Sequence, residues 1–116
     1  MLLLMGTIMA EKKYRVLVAS RAEAMLLRHV EFLARVSVPA ARKLVFEYRS
    51  SLTKLKKNPG RFPLLDLENV PPRLYRRCLF YGRYELIFFI ADETVFVDAV
   101  RDCRQNPENI FSLSQQ

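Results

Sequence analysis

The sequence predicts a single α+β domain in the order β-α-α-β-β-β, with two helices packed on one face of a mostly antiparallel sheet. Three observations carry this. Two stretches between positions 20 and 57 repeat apolar residues at helical spacing and are split at Ser37-Val38-Pro39. Three later runs are rich in Val, Ile, Tyr and Phe and are joined by links of two or three residues, as in a meander. The middle run, YELIFFIA, is apolar almost throughout, which suits a central strand buried on both faces.

Each element has its own signal. Lys13 to Ala19 (KYRVLVA) is the N-terminal strand. Ser20 with Glu23 forms an S-x-x-E pattern, which predicts a capping box: the hydroxyl accepts a backbone N–H and the carboxylate reaches back. A helix is expected from about Arg21 to Val36, with Ala22, Met25, Leu26, Val30, Phe32, Leu33 and Val36 on one side. His29 lies near the middle of that arc and is expected to be a packed histidine. The second helix runs from about Val38 to Lys57, because proline is tolerated in a first turn. Ala41, Leu44, Val45, Tyr48, Leu52 and Leu55 make its apolar stripe, and Asn58-Pro59-Gly60 stops it. The short link makes the pair a two-helix hairpin.

Arg61 to Pro72 holds three prolines and is expected to be a loop held on the core by Leu64, Leu65 and Leu67. The three-stranded antiparallel meander is Leu74–Phe80, Tyr84–Ala91 and Thr94–Arg101. Its links, Tyr81-Gly82-Arg83 and Asp92-Glu93, both suit hairpins. Asn106-Pro107 marks a turn, and Glu108–Leu113 is expected to form a last helical turn. There are no repeats and no low-complexity segment.

Composition bounds the function. The chain has 116 residues, of which 51% are hydrophobic and 27% charged, so it suffices for one folded domain and no more. Residues 1–12 are expected to be a flexible extension and 13–116 the domain. The apolar start lacks the basic segment and cleavage site of a signal peptide and is too short to span a bilayer. Cys78 and Cys103 are the only cysteines and His29 the only histidine, so no metal site and no cofactor is expected. Both cysteines are expected to be reduced, in a cytoplasmic protein.

The formal charge is +7, which favours polyanionic partners. It is concentrated between Arg42 and Arg61, where seven basic residues face one acid, Glu47. Arg42, Lys43, Phe46, Arg49, Lys54 and Lys57 fall on the side of the second helix away from its apolar stripe. That is either a solvated face or a partner-binding surface. Missing acids and an aromatic among cations favour the latter. A second basic set, which includes Arg76, Arg83 and Arg104, is interrupted by acids, so it reads either as cross-strand pairing or as anion binding.

On these residues the chain resembles the RelE/ParE superfamily of bacterial toxins, from about Lys13 to Phe111. The resemblance rests on the element order, on Ala40-Ala41 opening the second helix, and on its Leu52…Leu55…Pro59 ending. It rests also on Leu74-Tyr75-Arg76, on the Tyr84-led strand, and on VFVDAV running into Arg101-Asp102-Cys103-Arg104-Gln105. The ending looks like a plasmid-stabilisation branch.

The resemblance implies the toxin of a type II toxin–antitoxin pair, neutralised by an acidic antitoxin laid on the second helix or a strand edge. RelE-like members cut mRNA on the ribosome; ParE-like members inhibit DNA gyrase. Cleavage needs a base for the 2′-OH proton, cations for the phosphate and an acid for the leaving oxygen. Arg76 and Arg104 keep two of the implied basic positions, and Arg83 lies close to a third that falls near Glu85. Another falls on Cys78, and the implied Tyr or His falls around Ile110-Phe111. Tyr75, Tyr81 and Tyr84 read as packing residues, and Cys103 has no histidine to activate it. The expectation is therefore a toxin that acts by binding a gyrase-type target or translation. A ribosome-dependent mRNA endonuclease using Arg76, Arg83 and Arg104 is the alternative. A non-toxic nucleic-acid-binding module is the second.

Overall fold

The computed structural model describes residues 13–104. The first strand, β1, is Arg15–Val18. It leads directly into helix α1, Ser20–Ala34. The predicted capping box does not form: Ala19 occupies the cap position and no side chain caps the helix. The cause is the sheet. Ala19 donates its N–H to Val97 O at 2.9 Å, so it stays extended and its carbonyl accepts from Ala22 and Glu23. Ser20 is thereby left inside the first turn, where its hydroxyl cannot serve as a cap.

Helix α2, Val38–Leu55, is capped by a side chain. Ser37 is extended and its Oγ accepts from Ala40 N at 3.2 Å, with Pro39 in the first turn where no N–H is required. After α2 the proline-rich stretch is more ordered than a loop. Pro59–Arg61 makes a 3₁₀ turn, and Leu64–Leu65 makes a two-residue strand, β2. The remaining strands are β3 (Tyr75–Phe80), β4 (Tyr84–Ala91) and β5 (Thr94–Asp102). All three lie within a residue of expectation. The Asn106-Pro107 turn, the Glu108–Leu113 helical turn and the 1–12 extension lie outside the described residues.

The strands form one sheet in the order β1-β5-β4-β3-β2. β3, β4 and β5 are the antiparallel meander, and β2 adds antiparallel to β3. β1 pairs parallel with β5, from Arg15 opposite Thr94 to Val18 opposite Val97. A strand that must return parallel needs a crossover, and α1 and α2 are part of it. Between Ile87 and Phe88 the β4–β5 register shifts, leaving Asp98 as the extra residue of β5.

The helices share one face of the sheet. Leu44, Tyr48 and Leu55 of α2 and Ala22, Met25 and Leu26 of α1 close over it. Tyr48 meets Phe80, and His29 meets Tyr84, with ring centroids 6.2 and 5.2 Å apart. Leu44, Leu55, Leu86 and Phe88 are fully buried, each contributing roughly 1.5–3 kcal/mol of transfer free energy. Strand alternation then places Glu85, Arg77 and Arg101 on the other face.

Candidate functional site

Two regions carry the residues singled out by sequence. The first is the end of the sheet at the β3–β4 hairpin. Arg83 follows the left-handed pair Tyr81 and Gly82 in the link, at φ 52° and 75°. That turn aims Arg83 at the end of β5, where Asp102 lies. Arg83 Nη2 reaches Asp102 Oδ2 at 3.0 Å. Arg104 reaches the same carboxylate from the other side: Nη2 at 3.1 Å, Nε at 3.3 Å and its backbone N–H at 3.0 Å. Burial is the largest influence on Asp102 and would raise its pKa, but the bonds from Arg104 and Arg83 together outweigh it and hold the carboxyl at about 2.

Arg83 and Arg104 are thus brought together, but around an anion the protein supplies itself. The Arg83 guanidinium also lies 5.1 Å from the centre of the Tyr84 ring, and its Nε is buried with no hydrogen-bond partner among the described residues. Arg76 is not part of the group. It sits four positions back from Phe80, roughly 13 Å at the rise of a strand, and donates Nη1 to Phe62 O at 2.6 Å. The three arginines do not converge on one point.

The other positions implied by the resemblance are equally occupied. Cys78 is buried against α2, and burial raises its thiol pKa. Glu85 is fully buried and bonded to Arg101, Nε to Oε2 at 2.6 Å, with Arg77 at 3.4 Å. His29 is half-buried, its Nε2 lies 3.1 Å from Val100 O, and burial lowers its pKa. It braces β5 where β1 has ended, alongside Arg21, whose Nε donates to Asp98 O at 3.0 Å. Tyr84 is buried and Tyr81 stacks on it. Tyr75 donates to Asp98 Oδ2 at 2.7 Å; its pKa is pushed up to about 12 by burial first and that bond second. Cys103 is raised by burial, so it is a protonated thiol at neutral pH. Ile110 and Phe111 lie outside the described residues.

The second region is the outer face of α2. The stripe Ala41, Leu44, Tyr48 and Leu55 is buried, so helical geometry puts Arg42, Lys43, Phe46, Arg49 and Lys54 outside, Lys57 follows past the end of the helix where it bridges to Lys13, and all six are exposed. Phe46 keeps 67% of its surface open to solvent. Among the described residues, Arg42, Lys43, Arg49 and Lys54 have no ion-pair partner. Toward the end of the helix, Ser50, Thr53, Lys54, Lys57, Asn58 and Arg61 line an open cavity of about 460 Å³.

Three features lie beyond the sequence reading. Asp102 neutralises both arginines; its place two positions before Arg104 in the chain was the available hint. Arg61 is turned back onto α2 by the Asn58-Pro59-Gly60 stop, where Asn58 is left-handed at φ 47°. The third is the outer edge of β1. Arg15 and Ala19 donate to Glu93 and Val97 of the β5 side, so the N–H groups of Val16 and Val18 point outward, where no described residue meets them. Among the described residues no helix is long and apolar enough to cross a membrane, and no cluster of His, Cys, Asp or Glu could hold a metal.

No family model and no curated protein matches this chain. Among solved structures, it is similar to a chain described as "Chromosomal ParDE TA system from P. aeruginosa", with a TM-score of 0.64 at 13% identity, over 78% of this chain and 97% of that one. The likeness is one of fold, and it spans nearly all of the other chain.

Proposed function

We propose that this protein is the toxin of a type II toxin–antitoxin pair, held inactive by an acidic antitoxin, and that it acts by binding its target rather than by cutting mRNA. The observation that carries the reading is the fold shared with a chain of a ParDE toxin–antitoxin system along almost all of that chain's length. The arrangement of charge supports the second half. A phosphoryl-cleaving site needs cations free to meet charge as it develops. Here Asp102 holds Arg83 and Arg104, the carbonyl of Phe62 holds Arg76, and Arg101 with Arg77 surrounds Glu85.

The antitoxin has two surfaces to use. The exposed cations and Phe46 on α2 suit an acidic amphipathic helix, and the outer edge of β1 suits an added strand. At the opposite edge, β2 offers only two residues.

The test is induction of the chain in a bacterial host. Growth arrest is expected, relieved by co-expressing the short acidic protein encoded beside the gene. Primer extension on host transcripts should show no new cleavage ends, and the purified chain should inhibit supercoiling or another protein-dependent step. Unimpaired growth would overturn the toxin reading, and new ends mapping to ribosome-bound mRNA would overturn the binding mechanism in favour of an endonuclease.

A further inference from the structure

We propose that the cavity at the carboxyl end of α2 is a phosphate-binding site, taking the phosphate group of a nucleotide or a nucleic-acid strand on Lys54 and Arg61.

Three physical arguments lead there. The first is the lining. Its six residues are three cations, two hydroxyls and one amide, with no carboxylate among them. A neutral or mixed lining would be expected of an ordinary surface dimple, because soluble surfaces intersperse both signs. The volume of about 460 Å³ also falls within the range of roughly 300–1,000 Å³ typical of small-molecule sites.

The second argument concerns the helix end itself. Cations near a helix carboxyl terminus commonly serve its exposed carbonyls. Here backbone donors already serve those of Thr53, Lys54 and Lys56. Lys56 N–H donates to Thr53 O at 3.1 Å, Lys57 N–H to Lys54 O at 3.2 Å, and Tyr14 N–H to Lys56 O at 3.0 Å. The carbonyl of Asn58 accepts from Arg61 N–H at 3.2 Å. The side chains of Lys54 and Arg61 are therefore not needed for that purpose, and neither has an ion-pair partner among the described residues.

The third argument is preorganisation. Asn58 takes the left-handed conformation, φ 47° and ψ 57°, which reverses the chain, and the buried Pro59 anchors the reversal. The 3₁₀ turn then returns Arg61 alongside the last turns of α2. Its guanidinium lies 4.7 Å from the centre of the Phe62 ring, which fixes the plane of the fork while leaving its edges available for hydrogen bonds. A planar fork, the Lys54 ammonium and the Ser50 hydroxyl match the several acceptor oxygens of a phosphate better than the two of a carboxylate, while the Thr53 hydroxyl is given to Arg49 O at 3.3 Å.

The site stands whether or not the chain is a toxin, since its readout is binding by the full-length protein. Amide spectra are recorded during titration with inorganic phosphate, with a nucleoside triphosphate, and with a single-stranded oligonucleotide. Saturable shifts centred on Asn58, Gly60 and Arg61 are expected, at least tenfold weaker in a Lys54→Ala, Arg61→Ala variant whose melting temperature is unchanged. Arg61→Lys, which keeps the charge and loses the stacked fork, should bind more weakly than the native chain and more tightly than the double variant. If the strand is the source, oligonucleotide affinity falls steeply with salt and the slope drops in the variant by about 0.7 per cation lost. If free nucleotide is the source, the triphosphate saturates and the oligonucleotide does not. Three results would overturn the proposal: no saturable shift with any phosphate probe, equal binding by the variant, or saturation by an acidic peptide alone.

Discussion

Arg101 donates Nε to Glu85 Oε2 at 2.6 Å across a register pair of β5 and β4, and both side chains are almost wholly out of solvent. Burying two charges costs several kcal/mol per ion, recovered only while the pair stays intact. Glu85→Ala should therefore destabilise the fold by about 3 kcal/mol, because Arg101 loses its carboxylate in a buried position. Replacing both residues by Leu and Met should recover much of the loss. Urea unfolding of the two variants checks this; a loss under 1 kcal/mol in the single variant would refute it.

Asp102 gives the protein an acid sensitivity. Its folded pKa of about 2 lies below the ordinary 3.8. A depressed carboxyl stabilises the fold above its unfolded pKa, and that contribution is lost as pH falls from 3.8 toward 2. The amount is about 2 kcal/mol, at 1.36 kcal/mol per unit. Stability measured from pH 5 to pH 2 should fall by that much more in the native chain than in Asp102→Asn.

If the chain is a toxin that acts by binding, as proposed, its sheet arginines are dispensable for the effect. An Arg76→Ala, Arg104→Ala double variant should still arrest growth within a few-fold of the native induction threshold. Colony counts across an inducer series measure this, and complete loss of toxicity in a folded variant would count for cleavage.

On the same proposal, the α2 face should dominate affinity for an antitoxin. Phe46→Ala is expected to weaken binding about tenfold or more, as truncating an exposed aromatic anchor does. Arg42→Glu with Arg49→Glu should slow association and flatten its salt dependence. Surface plasmon resonance at two ionic strengths separates these effects.

The two serines at the helix starts should behave oppositely. Ser37→Ala removes a cap and should cost about 1 kcal/mol. Ser20→Ala should be close to neutral, within about 0.5 kcal/mol, as for a surface change with no partner. Thermal melts of both variants test the pair.

That pair also shows what the chain makes legible. Helical stripes and strand runs are local patterns, so the two helices and the meander can be placed from sequence to within one or two residues. The Ser20 pattern misleads because the decision lies elsewhere: Val97, far along the chain, holds Ala19 extended and moves the cap. β2 escapes for the same reason, since Leu64-Leu65 is a strand only by virtue of β3 beside it. The basic face of α2 can be read from helical geometry alone. The neutralisation of Arg83 and Arg104 cannot, because it depends on a turn that aims two arginines at one carboxylate.

The parallel pairing of β1 with β5 sets the order in which the protein comes into being. β1 finds its neighbour only in β5, and the nearby Arg21 to Asp98 bond joins groups 77 residues apart. Contacts of such separation fold slowly, because the intervening chain must be closed before they form. On the ribosome, β1 and the helix hairpin have no sheet edge to complete until β5 has emerged. An inhibitor that recognises the finished α2 face and the β1 edge together would therefore capture the chain only once β5 has emerged, so its supply must be waiting at that moment.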